Sequence, residues 1–197
     1  MLYLRPQPTF QDFQKYIHAF ELERGFMSET VVQECLLLGE ELGEFFELVE
    51  HPDKHHFIGG ELADIFIFPC AIANRTAINM DEAFAQECGI AVGTPLVDVQ
   101  KIVDTSSRSL TSLSLELGAK VGKLCKAVRK LEKIKMGTHS QAVNTQTALI
   151  EVFTALFAVA NCCSINLEQA FRDKEEINKK RVWTVSVPVE TRSQELL

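Results

Sequence analysis

Two segments of this chain, 87 residues apart, have closely similar sequences. Residues 71–84 read AIANRTAINMDEAF, and residues 158–171 read AVANCCSINLEQAF. Upstream of each, EELGEFFELV at residues 40–49 matches LELGAKVGKL at residues 115–124, with an offset of 75. The two offsets differ because the connector between the segments is about 12 residues longer in the second copy. Two similar segments that recur in the same order are typical of an internal repeat. We therefore expect two similar units that pack against each other as an internally duplicated pseudo-dimer.

Helical signals dominate both units. Capping pairs such as Thr9 with Asp12 and Asn79 with Glu82 precede apolar residues at helical spacing. Alternation typical of strands is confined to residues 182–187. The sequence predicts an all-α bundle in four parts, namely a first repeat (residues 1–90), a linker without a sustained helical period (91–108), a second, degenerate repeat (109–184) and a tail (185–197).

The two halves of the chain carry opposite net charge. Residues 1–98 contain 5 basic and 17 acidic residues, a net charge of −12, whereas residues 99–197 contain 15 basic and 10 acidic residues, a net charge of +5. The total of −7 disfavours nucleic acid as a partner. Two solvated faces that attract each other are the general explanation of this asymmetry.

Location is inferred from what the sequence lacks. No apolar stretch approaches the ~18–20 residues of a membrane span, and residues 1–8 lack the regions of a signal peptide. The six cysteines lie in apolar helical runs without CxxC spacing, which indicates reduced residues rather than a disulfide or zinc framework. We expect a cytoplasmic protein that does not contact a membrane.

Carboxylates occupy positions that should be buried. On the second predicted helix Glu41 lies within the apolar arc and Glu44 at its edge; the third helix is apolar on every side, yet contains Glu61 and Asp64. If these helices pack side by side, four carboxylates converge, and each pair repels by about 3 kcal/mol at ~5 Å and an effective dielectric of ~20. Oxygen ligands of this kind suit Mg²⁺ or Mn²⁺. The alternative is that a buried cation, such as Arg75, neutralises Glu41.

These motifs carry a resemblance to a known family. ELGE at residues 41–44, ELAD at 61–64, and the IANR and INMDEAF segments after them resemble the MazG-like all-α nucleoside triphosphate pyrophosphohydrolase superfamily, which includes all-α dUTPases and dCTPases. The FQKYI and FELERGF segments and the closing KEEINKKRVW fit the same pattern, so the resemblance covers nearly the whole chain outside the linker and tail. It implies Mg²⁺-dependent cleavage of a nucleoside triphosphate to a monophosphate and pyrophosphate, in a role of nucleotide-pool house-cleaning.

A basic stripe occurs on the last predicted helix. Lys174, Asn178 and Arg181 lie on one face at i, i+4 and i+7. Two cations and an amide in this arrangement suit phosphate oxygens, which Arg can bind through two hydrogen bonds. A basic last turn that complements the helix dipole is the alternative explanation. The first repeat has no such stripe, because its equivalent positions hold Glu87, Ala91 and Thr94.

The second repeat has lost the acidic motif in turn. Its positions equivalent to the four carboxylates are Glu116, Ala119, Ala148 and Glu151. The first repeat therefore supplies the metal ligands and the second supplies the phosphate-binding stripe, which explains the opposite charges of the halves more sharply than general attraction. We expect one composite site where the symmetric homodimers of the family have two, and a homodimer of the whole chain stays an open alternative.

The predicted roles follow from the motifs and the resemblance together. Glu41, Glu44, Glu61 and Asp64 are the predicted metal ligands, and Glu40 or Glu44 orients the attacking water. Lys174 and Arg181 neutralise charge on the leaving pyrophosphate, and Asn178 helps to position it. The resemblance adds Lys15 and Phe26, in the N-terminal segment, as candidates for phosphate or base contacts.

Two other classes of function compete with this prediction. A di-iron carboxylate bundle requires Glu-x-x-His pairs on its helices, whereas His51, His55 and His56 lie in a predicted connector. A non-catalytic helical module, which binds nucleotides or a partner after losing activity, is the stronger alternative. Retention of all four acidic residues favours the enzyme.

Overall fold

The computed structural model describes residues 3–105, 108–135 and 144–181. Within these ranges the chain forms helices and no strand, which confirms the predicted all-α class. The predicted tail and the alternating segment 182–187 lie outside the described residues. The α-helices are α1 (Phe10–Arg24), α2 (Val31–Glu50), α3 (Ile58–Arg75), α4 (Met80–Cys88), α5 (Leu96–Lys101), α6 (Leu110–Leu131), α7 (Thr145–Cys162) and α8 (Leu167–Asn178).

Local sequence signals explain where several helices begin and end. Thr9 and Asp12 form the predicted capping box of α1, and Gly25 ends that helix with a left-handed φ of 78°. The Asn79 side chain caps α4 by accepting hydrogen bonds from the backbone N–H groups of Asp81 and Glu82. These caps satisfy backbone groups that a helix end leaves without partners.

Two antiparallel helix pairs form the centre of the bundle. Glu34 near the start of α2 contacts Arg75 at the end of α3, so these two helices run in opposite directions. In the second pair, Cys162 at the end of α7 contacts the backbone of Arg108, just before α6. Because α2 also packs on α6 and α3 on α7, the two pairs form one four-helix core.

Aromatic side chains from both halves of the chain fill this core. The ring centroids of Phe10 and Phe66 lie 4.8 Å and 5.5 Å from that of Phe153, and the Phe13 ring lies 5.0 Å from that of Phe171. These phenylalanines are all almost fully buried. The halves therefore share a single hydrophobic core.

Two segments have the length and hydropathy of a membrane span, so the expectation that none approaches it was wrong on those criteria. They are Pro52–Arg75, which includes α3, and Thr145–Cys162, which is α7. In each, 61% of the apolar window is buried inside the protein. Both helices lie in the four-helix core, where apolar residues on every side are expected.

Gln14 joins α1 to the end of α3 and the start of α4. Its side-chain nitrogen donates to Asn74 Oδ1 (3.1 Å) and to the carbonyl of Ile78 (2.8 Å), while its oxygen accepts from the Met80 N–H (3.0 Å). The Asn74 amide donates back to the Gln14 carbonyl (2.9 Å). The polar groups of this buried glutamine are thereby paired.

Gln100 on α5 makes the same four hydrogen bonds to the second half. Its nitrogen donates to Asn161 Oδ1 (2.9 Å) and to the Ile165 carbonyl (2.7 Å), its oxygen accepts from the Leu167 N–H (3.1 Å), and the Asn161 amide donates to its carbonyl (2.9 Å). The segment predicted as a linker thus contains a helix that bonds to α7 and α8 as α1 bonds to α3 and α4. The sequence analysis missed it because six residues are too few to show a helical period.

Candidate functional site

The antiparallel pairing of α2 and α3 brings three carboxylates together. Glu41 on α2 faces Glu61 and Asp64 on α3, and one carboxylate oxygen from each lies within 4.8 Å of the other two. Asp64 is buried, and the two glutamates are half-buried. We call these three residues the acidic triad. Three of the four predicted ligands therefore converge.

Burial and mutual repulsion perturb the carboxylates of the acidic triad. Burial and the neighbouring charges of Asp64, Glu44 and Glu61 raise the pKa of Glu41 to about 7. Burial likewise raises the pKa values of Glu61 and Asp64 above their usual range, although the Lys174 ammonium opposes the shift. Oε2 of Glu61 is buried and accepts no hydrogen bond from the described part of the chain. Such an oxygen is a free ligand for a cation.

The remaining predicted acids lie at the edge of the acidic triad. Glu40 and Glu44 are exposed, and both line the same cavity as Glu41 and Asp64. Glu44 is not one of the converging residues, but its negative charge contributes to the raised pKa values of Glu41, Glu61 and Asp64. Its position suits a group that contacts water in the cavity.

Helix α8 ends at Asn178, so the prediction that Arg181 lies on the same helical face was wrong. Lys174 of the basic stripe nevertheless contacts the acidic triad directly. Helix α8 packs on α3, and Lys174 forms an ion pair with Asp64 in which both side chains are largely buried. Arg181 lines the same cavity, and its positive charge lowers the pKa values of Glu61 and Asp64. Acids from the first half and cations from the second half thus form one site.

Asn178, the last residue of α8, lies between these two cations in the sequence. Its side chain is only 6% exposed and lines the cavity, and its Oδ1 has no hydrogen-bond partner among residues 3–105, 108–135 and 144–181. A buried amide without a partner is costly, so a ligand that satisfies it gains affinity.

Arg75, the cation named as a possible partner of Glu41, does not bind it; the buried cation beside Glu41 is Lys174, whose charge opposes the rise in the pKa of Glu41. The Arg75 guanidinium binds Glu21 (NH1 to Oε1, 2.7 Å) and Glu34 (NH2 to Oε1, 2.7 Å), and both carboxylates are buried. Sequence analysis missed Glu21 and Glu34 as parts of the site. The signal for Glu34 was present, because it precedes Glu41 by two helical turns and therefore lies on the same face of α2.

An elongated cavity of about 520 Å³ joins these groups. Besides the charged residues, apolar side chains line it: Phe20, Phe26, Leu37, Ile67 and Phe68. Glu34 and Glu44 both line it and are ten residues apart on α2, so the cavity follows this helix for ~15 Å. The volume is in the range of small-molecule sites.

The two candidates from the N-terminal segment differ in position. Phe26 lines the cavity. Lys15 does not; it is exposed, donates to Gln11 Oε1 (3.1 Å) and lines two other surface hollows. The structure therefore places Phe26, but not Lys15, with the other predicted site residues.

The equivalent positions in the second half are neutralised by the chain itself. Glu116 forms an ion pair with Arg108, and Glu151 lies 2.6 Å from Lys123 Nζ and 3.7 Å from Lys120 Nζ. The other two positions hold alanines, Ala119 and Ala148. Two paired carboxylates do not form a cluster that needs a metal.

The site combines closely spaced carboxylates with two basic side chains. Close carboxylates beside two cations can bind a metal ion together with an anionic ligand. Searches of the chain against models of protein families, curated proteins and solved structures find no match. The resemblance to MazG-like enzymes stays a prediction.

Proposed function

We propose that this protein is a Mg²⁺-dependent nucleoside triphosphate pyrophosphohydrolase with a MazG-like fold. The observation that carries the proposal is the ion pair between Asp64 of the acidic triad and Lys174 of the basic stripe, in the wall of a cavity that Glu41, Asn178 and Arg181 also line. A metal ligand set alone fits many proteins, and a phosphate-binding stripe alone fits many others. Their combination suits a ligand that is both metal-bound and polyanionic, as a triphosphate is.

The residues present fit a hard divalent cation. Three carboxylates converge, and a buried oxygen of Glu61 has no partner in the described chain. Glu41, Glu61 and Asp64 would hold Mg²⁺ or Mn²⁺, with Glu44 completing the set from the rim. When bound, the ion polarises the phosphates and lowers the pKa of a coordinated water.

The chain's own groups supply the rest of the chemistry. The oxygen of water bonds to the α-phosphorus, and the bond from that phosphorus to the oxygen bridging to the β-phosphate breaks. Glu40 or Glu44, both at the cavity wall, orients the water and accepts its proton. Lys174 and Arg181 stabilise the negative charge that grows on the leaving pyrophosphate, and the Asn178 amide positions it.

Each chain has one site, which is built from both repeats, rather than two equivalent sites. The matching hydrogen bonds of Gln14 and Gln100 support a duplication, because they recur at equivalent positions of both halves. The ion pairs of Glu116 and Glu151 support a single site per chain. We therefore expect calorimetry with a non-hydrolysable nucleotide and Mg²⁺ to give one bound nucleotide per chain. Two per chain would contradict the composite site.

Product analysis tests the proposed reaction. Canonical NTPs and dNTPs are incubated with the protein and Mg²⁺, and pyrophosphate is resolved from orthophosphate. We expect pyrophosphate and a nucleoside monophosphate, no turnover in chelator, and loss of turnover in Asp64→Asn. Glu47→Gln, on the exposed face of α2, is the matched control and should retain activity. Nucleotide binding without turnover would favour the non-catalytic module.

A further inference from the structure

The end of the cavity away from the acidic triad contains groups that the proposed reaction does not use. Glu34 precedes Glu41 by seven residues on α2, which places it ~10 Å further along the helix. Here Phe20 and Phe26 line the cavity, and their ring centroids are 6.4 Å apart. The two rings are tilted by 58° and the Arg24 guanidinium lies over the Phe20 ring, so a nucleobase can stack on one ring at a time.

Arg75 holds this end of the cavity in place. Its Nε donates to the Glu29 carbonyl (2.9 Å) and NH2 donates to the Phe26 carbonyl (3.3 Å), which fixes the turn that carries Phe26. Its remaining N–H groups point to Glu21 and Glu34 and to the Ala71 carbonyl. The guanidinium therefore has no N–H left for a ligand.

Glu21 and Glu34 each have a carboxylate oxygen that does not bind Arg75. Glu21 and Glu34 are 6% and 3% exposed, and both line the cavity. Each uses Oε1 for Arg75, and Oε2 of Glu21 is buried without a hydrogen-bond partner in the described ranges. This end of the cavity lacks hydrogen-bond donors for the two carboxylates, because every N–H group of Arg75 already has an acceptor.

We infer that this end of the cavity binds the base of the nucleotide, and that Glu21 and Glu34 select bases that carry an exocyclic amino group over uracil and thymine. The inference rests on the proposed function, because it assigns the base of that same substrate. The triphosphate then extends from the base end toward the acidic triad and Lys174, along the ~15 Å of cavity that follows α2.

Base chemistry gives the direction of the selection. The amino groups of cytosine, adenine and guanine donate hydrogen bonds, and a carboxylate oxygen accepts them. Uracil and thymine offer a single N–H between two carbonyl oxygens, so a carboxylate that accepts it also meets their lone pairs. Stacking on Phe20 or Phe26 does not distinguish these bases, because every base has a π face.

Paired substrates isolate the amino group. At pH 8.5, above the pKa of about 7 to which burial raises Glu34, we compare kcat/KM for dCTP with dUTP and for dGTP with dITP, because dITP lacks only the 2-amino group of dGTP. We expect the amino-bearing member of each pair to be preferred by about 10- to 100-fold. Glu34→Gln keeps the shape of the side chain but adds an N–H donor, so the dCTP/dUTP ratio should fall at least about tenfold.

The controls separate this inference from the proposed function. Glu47→Gln should leave both ratios unchanged, and Glu21→Gln repeats the test if Glu34→Gln does not fold. If nucleotides are hydrolysed but dUTP is used as well as dCTP, or the ratio is unchanged in both variants, the base assignment is wrong and the proposed function stands. If no nucleotide is bound or hydrolysed, both are wrong.

Discussion

Replacing Glu41 with Gln tests whether repulsion within the acidic triad lowers the stability of the folded protein. The pKa of Glu41 is raised to about 7 from 4.5, first by burial and then by its acidic neighbours. A shift of ~2.5 units corresponds to about 3 kcal/mol for ionising the group in the folded protein above pH 7. Because Glu41 is half-buried, solvent screens part of this, and we expect a penalty of about 1–2 kcal/mol.

The sign of the pH dependence follows from proton binding. With the pKa raised in the folded state, the folded protein binds more protons than the unfolded chain between about pH 4.5 and 7. The stability of the wild type therefore falls as the pH rises through this window. In chelator, Glu41→Gln should match the wild type near pH 4 and exceed it by about 1–2 kcal/mol at pH 8, measured by urea unfolding.

Mg²⁺ should reverse the order of stability. At a concentration of ~100 Kd, the wild type gains about 2.7 kcal/mol, which the variant loses with its ligand. Glu47→Gln, exposed and outside the triad, should change neither measurement. A metal-free Glu41→Gln that is less stable than the wild type at pH 8 would refute the electrostatic account of the site.

Three further changes test the other parts of the site and fold. Lys174→Ala and Arg181→Ala should each lower kcat/KM by about 10- to 1000-fold while calorimetry still detects Mg²⁺ binding; loss of Mg²⁺ binding would place them in the metal site instead. Burial raises the pKa of Glu34 to about 7, so the wild type loses stability as the pH rises from about 4.5 to 7. Glu34→Gln should remove up to about 3 kcal/mol of this pH dependence in urea unfolding, and an unchanged profile would contradict it. Gln14→Ala and Gln100→Ala should each cost about 2–4 kcal/mol, because each leaves a buried backbone N–H and an asparagine Oδ1 without the partner that the glutamine side chain supplies; a large loss at one position only would argue against equivalent roles.

Helix patterns were enough to predict much of the site. The i, i+3 spacing of Glu61 and Asp64 in an otherwise apolar helix predicted buried carboxylates, and both lie in the acidic triad. The prediction worked because helical periodicity fixes which residues share a face. The same periodicity places Glu34 on the face of α2 that carries Glu41, two turns earlier. Glu34 was not predicted, because a single buried acid is not a recognisable motif.

Contacts between distant segments were beyond what periodicity shows. The ion pair of Lys174 with Asp64 depends on how α8 packs on α3, and nothing in either helix's own sequence specifies that packing. The sequence contains several acids that Arg75 could bind, and only the fold shows that Glu21 and Glu34 are its partners. Tertiary packing, rather than local pattern, decides these partners.

The short helix α5 shows a different limit. Its six residues, Leu96–Lys101, have too few apolar positions to display a helical period, and a proline precedes it. Gln100 fixes the position of α5 through hydrogen bonds to Asn161 and Ile165, which match those that Gln14 makes to Asn74 and Ile78. A comparison of Gln14 and Gln100 with their flanking residues could have found it, because Asp12 and Lys15 recur as Asp98 and Lys101.

The measurement that tests the central claim most directly follows the oxygen of water. A nucleoside triphosphate is incubated with the protein and Mg²⁺ in H₂¹⁸O, and mass spectrometry locates the label in any products. Attack on the α-phosphorus, with pyrophosphate held by Lys174 and Arg181 as it leaves, predicts one ¹⁸O in the nucleoside monophosphate and none in pyrophosphate. Label in pyrophosphate, release of orthophosphate, or no turnover with any nucleotide would contradict the account.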